Sequence, residues 1–322
     1  MDDLLSDRLR QRYPVDQVID LIKSHQDELS LDKLIESLES INDINKYYLK
    51  LVLKGLIDKN VLQDKDEEGI FSEWIYDKYI ELLNVNFDGI KDNDDIIMYR
   101  FNSAIKVLIR EKPYLISAMN TTGFRTWAAS VYLSKYLVDH EDALINDDDN
   151  ILELGAGTGL VSLTIASMDK MKDNKLRRMY VTDGDSELVS GQMQDNFQMN
   201  EVNVDNHIKL QKLWWNSPDQ PIPERVNVVI GADVTYDSTC FTDLCSCLRQ
   251  CLLESECYKC LIASTIRNVK TDKLFQSTVE HFGMRWKIIT STEREPSTKD
   301  VLMDEVLFRP LLGPICIYEI TI

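Results

Sequence analysis

Basic residues are scarce in this 322-residue chain: 36 lysines and arginines stand against 54 aspartates and glutamates, a formal charge of −18. That balance argues against a nucleic-acid groove built by phosphate neutralisation, so no direct nucleic-acid partner is expected, whereas a basic protein surface would be attracted. No run approaches the roughly 18 apolar residues that a membrane span needs. The opening MDDLLSDRLRQRY has neither the apolar core of a secretory signal nor the acid-free pattern of a transit peptide. A cytoplasmic protein without a membrane partner is the expectation. An even thiol count is also missing. The seven cysteines include six between Cys240 and Cys260, where Cys257-x-x-Cys260 has neither a second pair at finger spacing nor a nearby histidine. Reduced, buried thiols are expected there, and no metal. The chain shows no internal repeat and no low-complexity tract, and its 44% apolar content is that of a globular protein.

What is present falls into two parts. Residues 1–90 carry apolar positions three and four apart, Val15, Val18, Ile19 and Ile22, then Leu31, Leu34, Ile35 and Leu38, which is helical spacing. Pro14 suits the first turn of the former helix and Ser30 the N-cap of the latter. Phe71 to Leu83 sets Trp74, Ile75, Tyr79 and Leu82 on one face, a packing pattern. The polar stretch Asp88 to Asp95 reads as a linker, followed by two short strands, IIMYRF and AIKVLIRE, around Asn102 and Ser103. TTGFRTWAASVYLSKYL then follows a helical pattern, and a second acidic run, Asp147 to Asp149, leads into the next strand. From Ile151 strand and helix alternate: strands at 151–154, 178–182, 207–213, 226–232, 259–265, 284–290 and 313–321, helices at about 158–169, 186–199, 239–253 and 271–282. The fold class is α/β, an open parallel sheet covered on both faces. The last strand follows an irregular stretch instead of a helix, so it can enter antiparallel. The expected domains are a helical one over 1–90 and a sheet domain over 91–322.

Ligands of such a sheet lie beyond the C-terminal ends of its strands. The run NILELGAGTGLVSLTIA, Asn150 to Ala166, gives a strand, a turn with Gly155, Gly157 and Gly159, and a helix. The glycines let the backbone approach a bound molecule. Their spacing is one residue short of the dinucleotide fingerprint, and Glu153 would repel a pyrophosphate but could hold a cationic ligand end. The next strand ends in VTDGD, where Asp183 can accept both hydroxyls of a ribose; Asp185 is the reserve candidate for that role and otherwise suits a helix N-cap. The third ends in Trp214 and Trp215, and Trp215 could stack on an adenine or fill the core. The fourth, VNVVIGADVTYD, places small Ala232 beside Asp233 with Tyr236 three residues on; Asp233 could serve the reactive end of a ligand or cap a helix.

Together, ELGAGTGL, VTDGD, LWWN and IGADVTYD resemble the S-adenosylmethionine-binding core of seven-strand methyltransferases, a Rossmann-like sheet. In particular they resemble the methyltransferase-like enzymes that modify lysines of non-histone proteins, whose hallmark D-x-x-Y is matched here by Asp233 to Tyr236. TTGFRTW, ASTIRNVKTDKLFQ and the helical N-terminal extension together are similar to the eukaryotic lysine methyltransferases of translation elongation factor 2, and TIRN, Thr265 to Asn268, is what narrows the choice. The likeness covers about 95–322 well and the helical part loosely; one departure is the polar helix exit DKMKDNK. It implies that Trp127, Glu153, Gly155, Ala156, Gly157, Asp183, Trp215 and Ala232 line the S-adenosylmethionine site, and that Asp233 and Tyr236 flank a target lysine. Asp233 is cast as orienting the amine, since an ordinary carboxylate is a poor acceptor of a lysine proton. A monomer acting on a protein substrate, elongation factor 2, is the resulting expectation. The alternatives are another translation protein or a small molecule as substrate, a nicotinamide dehydrogenase, disfavoured by the glycine spacing and Glu153, and a non-enzymatic scaffold.

Overall fold

The computed structural model describes residues 1–62, 66, 69–89, 92–115, 122–140, 146, 149–171, 178–215, 217 and 222–322. Of the stretches singled out above, Ile90 and Lys91 of the linker, Thr121, Asp147 and Asp148, 172–175 of the polar exit, and Asn216 lie outside the described residues. Met1–Met98 with Arg110–Leu115 form one compact unit, and Tyr99–Ile109 with Ile116–Ile322 the other.

In the first unit the apolar three–four spacing folds into helices α1 (Asp2–Arg10), α2 (Val15–Ser24), α3 (Leu31–Asn42), α4 (Lys46–Asp58) and α5 (Ile70–Glu81). Val18, Ile19 and Ile22 of α2 meet Leu34, Leu38 and Ile41 of α3 and Leu49, Val52 and Leu53 of α4 in one core. Ser30 caps α3 as expected, its hydroxyl accepting from Lys33 N. Pro14 is one position earlier than expected, at the N-cap of α2 instead of inside its first turn. The face of α5 buries Ile75, with Trp74 partly buried and its Nε1 donating to Glu39. A buried ion pair completes this unit. The Arg12 guanidinium donates to both carboxylate oxygens of Asp95, with side chains 11% and 6% exposed, and the Asn45 amide adds a third donor.

Strands β1 (Asp95–Arg100) and β2 (Lys106–Glu111) form the hairpin; Asn102 Oδ1 closes its turn by accepting from Ala104 N and Ile105 N. The large sheet holds β3 (Asn150–Leu154), β4 (Arg178–Asp183), β5 (Ile208–Lys212), β6 (Val228–Ala232), β7 (Lys259–Thr265), β8 (Arg285–Ser291) and β9 (Ile315–Thr321) in the order β5-β4-β3-β6-β7-β9-β8. The inner strands pair in parallel, Leu152 of β3 lying beside Tyr180 of β4 and Val229 of β6. Only β9 runs against its neighbours, with Tyr318 between Ile262 and Ile288, so the last segment enters antiparallel as its irregular approach implied. Every residue of β3 and β6 is buried, as strands covered on both faces must be. The cover comes from α6 (Ala128–Asp139), α7 (Leu160–Met171), α8, α9 (Phe241–Glu254) and α10 (Val269–His281), where α8 is the continuous run of Ser186–Leu188, a π-helical turn Val189–Met193, and Gln194–Met199; α11 (Pro296–Val301) buries no residue. Asn268 caps α10 by accepting from Lys270 N and Thr271 N, which starts that helix two residues earlier than its apolar pattern suggests. Six of the seven free cysteines are buried, those of α9 and β7 within the sheet's core.

Replacing one partner of a buried ion pair strands the other charge. Arg12→Met is expected to lower the stability of the chain by about 3–5 kcal/mol, read from urea denaturation; a loss no larger than that of an exposed arginine would show the pair to be solvated.

Candidate active site

Strand order reverses between β3, β4 and β6, and a cavity of about 560 Å³ opens at their C-terminal ends. Its floor is the turn after β3. Gly155 and Gly157 hold φ of 63° and 55°, in the left-handed region. A Cβ on Gly155 would come within 2.7 Å of Val234 Cγ1, and one on Gly157 within 3.3 Å of the Gly123 carbonyl oxygen. Both glycines are therefore required by conformation and by space. The turn is tied down by Ala156 N donating to Thr182 O at 2.9 Å, and by a bond between the Thr126 and Thr158 hydroxyls, also 2.9 Å.

Asp183 ends β4 on the cavity wall. Its carboxylate accepts from Gly157 N at 3.0 Å and Asp185 N at 3.1 Å, and burial raises its pKa against those bonds. Asp185 is the N-cap expected of it, accepting from Glu187 N and Leu188 N. Trp215 lines the cavity and also packs, partly buried, against the core. Trp214 lines the same wall and is 58% exposed. Ala156, Ala232 and Trp127 line the cavity too. Trp127 stands at the N-cap of α6 with its Nε1 donating to Thr122 O, and the guanidinium carbons of Arg125 and Arg267 each lie 5.1 Å from its ring centroid.

Glu153 is placed differently from the expectation that it meets a cationic ligand. It is 2% exposed, absent from the cavity wall, and its carboxylate accepts from the backbone N–H and hydroxyl of Ser162 in the first turn of α7. Alternate side chains of a strand face opposite layers, and Glu153 is on the side covered by α7. Burial, with a smaller push from the Asp183 charge, raises its carboxyl to about 8 even though the Ser162 bonds act the other way.

Asp233 follows β6 with φ 55° and is 6% exposed. It caps no helix; Asp237 does that for the short turn Ser238–Cys240. Its Oδ1 accepts from Thr265 N at 3.0 Å, and its Oδ2 from the Thr265 hydroxyl at 3.1 Å and Arg267 Nη2 at 2.9 Å. Tyr236 lines the cavity mouth and is 56% exposed. The structure thus gathers Trp127, Gly155, Ala156, Gly157, Asp183, Trp215, Ala232, Asp233 and Tyr236 around one cavity and leaves Glu153 beneath it. Sequence reasoning missed Ser162 and Arg267 as partners of the two carboxylates. Arg267 lay inside the quoted TIRN motif, but its ion pair spans 34 positions and no periodicity signals it.

The Glu153 assignment has a pH consequence. Unfolded, this carboxyl ionises near 4.5; folded, near 8. Between those values the folded state holds the extra proton, so this group's contribution to stability falls as pH rises through the window and levels off above it. Glu153→Gln keeps an acceptor for Ser162 and removes the slope. Melting temperatures from pH 5 to about 8 should fall less steeply for the variant than for the wild type; parallel curves would mean the carboxyl ionises normally.

A family model described as lysine methyltransferase matches residues 115–282. Over 343 aligned residues, covering 99% of both chains, this sequence is 39% identical to the protein-lysine N-methyltransferase EFM3 of Saccharomyces cerevisiae. It is 29% identical to the enzyme of the same name from Chaetomium thermophilum, over 52% of this chain and 50% of that one. It is 28% identical to the human protein-lysine N-methyltransferase EEF2KMT over 59% of each chain. The cavity fits a nucleoside methyl donor: a glycine turn that a Cβ would obstruct, a carboxylate at the end of the neighbouring strand, and an indole wall. The chain belongs to the lysine methyltransferase family, enzymes whose methyl donor is S-adenosylmethionine.

Proposed function

We propose that the chain methylates a lysine of translation elongation factor 2, with Asp183, Trp215 and the Gly155–Gly157 turn holding the cofactor and Asp233 and Tyr236 flanking the lysine. The substrate reading is supported by the likeness of TTGFRTW and TIRN to enzymes of that factor. The observation that carries the site reading is the continuity of one cavity from Asp183 to Asp233 and the exposed Tyr236, which leaves its mouth open to a side chain from a macromolecule.

Bound there, S-adenosylmethionine supplies a methyl group activated by its sulfonium, open to direct displacement by an amine. The residues of the chain must then bring in an uncharged nitrogen. Lysine at its ordinary value near 10.4 costs about 4.6 kcal/mol to deprotonate at pH 7, a cost that desolvation and a neighbouring positive charge reduce. The Tyr236 hydroxyl can aim the nitrogen from the mouth. Asp233 is bonded to Thr265 and Arg267, so it acts as a fixed acceptor that orients the amine, and the proton leaves to solvent.

Mass spectrometry of elongation factor 2 from cells with and without the chain tests the substrate: one lysine is expected to lose its methyl groups when the chain is absent, and an unchanged factor sinks the proposal. Two variants test the site. Asp233→Ala should abolish transfer while keeping most of the affinity for S-adenosylhomocysteine measured by calorimetry; equal loss of both would make the residue structural. Gly157→Arg should abolish that affinity, because the side chain meets the Gly123 backbone and fills the cavity, and retained affinity would move the cofactor elsewhere.

A further inference from the structure

Arg267 has no role in the reading above beyond bonding Asp233, yet its geometry assigns it one. It sits between β7 and α10 on a backbone fixed at both sides: Ile266 N donates to Pro314 O at 2.7 Å, Arg267 N to Thr265 O at 3.0 Å, and Asn268 caps α10. From there the guanidinium reaches both oxygens of Asp233, Nη2 to Oδ2 at 2.9 Å and Nη1 to Oδ1 at a longer 3.5 Å, and also lies over Trp127. The two side chains differ in exposure, 33% for Arg267 against 6% for Asp233, so the carboxylate is the buried member and the arginine reaches in from the rim.

That asymmetry matters for an amine nucleophile. A lone carboxylate a few ångströms from a lysine favours the ammonium form and raises the pKa that methyl transfer needs lowered. A carboxylate already balanced by a guanidinium still accepts a hydrogen bond without that penalty. The other charged or titratable groups on this part of the cavity are Arg125 beside Trp127, Tyr236, Cys240 and Asp243 at the mouth, and Asp183 on the cofactor side. Among the described residues, the charge-bearing partner of Asp233 is Arg267.

We propose that Arg267 is a positioning residue for catalysis: it balances the charge of Asp233 so that the target lysine can lie against this carboxylate as a neutral amine. The inference rests on the assignment of Asp233 to the lysine site. Asp233 supplies direction, Arg267 keeps that direction from carrying a net negative charge, and the planar fork suits the task because it engages both oxygens at once.

The test is the pH dependence of kcat between about pH 6.5 and 9.5, with the chain, S-adenosylmethionine and purified elongation factor 2 both saturating, because kcat reports groups that ionise in the bound complex. In Arg267→Met the rising limb should move about one unit to higher pH, which is roughly a tenfold loss at pH 7 that narrows as pH rises. Arg267→Lys, which keeps a cation, should leave the limb close to wild type. Adding Asp233→Asn to Arg267→Met removes the unbalanced charge and should return the limb to its wild-type position at a lower plateau. A loss that is uniform at every pH overturns the proposal and makes Arg267 a strut. Loss of S-adenosylhomocysteine binding in both Arg267→Met and Arg267→Gln overturns it in the same way. If the wild-type enzyme leaves elongation factor 2 unlabelled, the substrate reading fails first and takes this inference with it; a labelled factor with an unmoved limb sinks the inference alone.

Discussion

Three neighbouring parallel strands carry a carboxylate at or beside their C-terminal ends, Glu153 on β3, Asp183 on β4 and Asp233 after β6; Glu153 and Asp233 are buried and Asp183 is half-buried. Packing like charges at one rim of a sheet is costly unless each is satisfied separately. The chain does so in three ways. Glu153 is given to the start of α7, where Ser162 donates twice and burial favours the proton. Asp183 is held by backbone N–H groups of the turn and of its own strand end. Asp233 takes a guanidinium and a threonine. One residue is thereby turned toward neutrality, one is left as an acceptor on the cavity wall, and one becomes half of an ion pair.

The glycine turn is what lets these solutions coexist. Gly157 N can reach Asp183 because the backbone there adopts a left-handed conformation, and the turn can lie flat against Val234 because Gly155 has no side chain. The same N–H that fixes Asp183 therefore fixes the floor of the cavity. Rigidity at this point is inherited from the sheet, since β3 and β6 are buried along their whole length and pair in register through Ile151, Leu152, Glu153 and Leu154.

Much of this architecture was legible in the sequence. Alternating strand and helix patterns located all seven strands of the sheet, and the irregular approach to the last one was enough to infer that β9 runs antiparallel. Asp185 and Ser30 were identified as caps because capping is a local signal. What the sequence hid is non-local or directional. Glu153 sits at the motif position that suggests ligand contact, yet which face of β3 it occupies depends on how the strand meets α7. The Arg267–Asp233 pair joins residues on two different strand ends, and only the sheet order brings them together. The π-helical turn Val189–Met193 inside α8 leaves no trace in an apolar pattern that otherwise reads as one helix.

The contrast between floor and mouth bears on what the enzyme can accept. A small-molecule site gains affinity by enclosing its ligand, and the inner part of this cavity is built that way, with Ala232 and Asp233 nearly excluded from solvent. Its outer part is open: Trp214 and Tyr236 are more than half exposed, and Asp243 shares the wall. An open aromatic rim with carboxylates suits the end of a long cationic side chain still attached to a protein, because the stem can lie on the rings while the nitrogen goes inward. Further in, Asp233 is already paired with Arg267, so the carboxylates of the outer wall and the carboxylate nearest the inner wall differ in how much charge they leave unbalanced. Recognition and chemistry ask for opposite protonation states of a lysine nitrogen, and a cavity whose carboxylates differ in this way along its length can serve both.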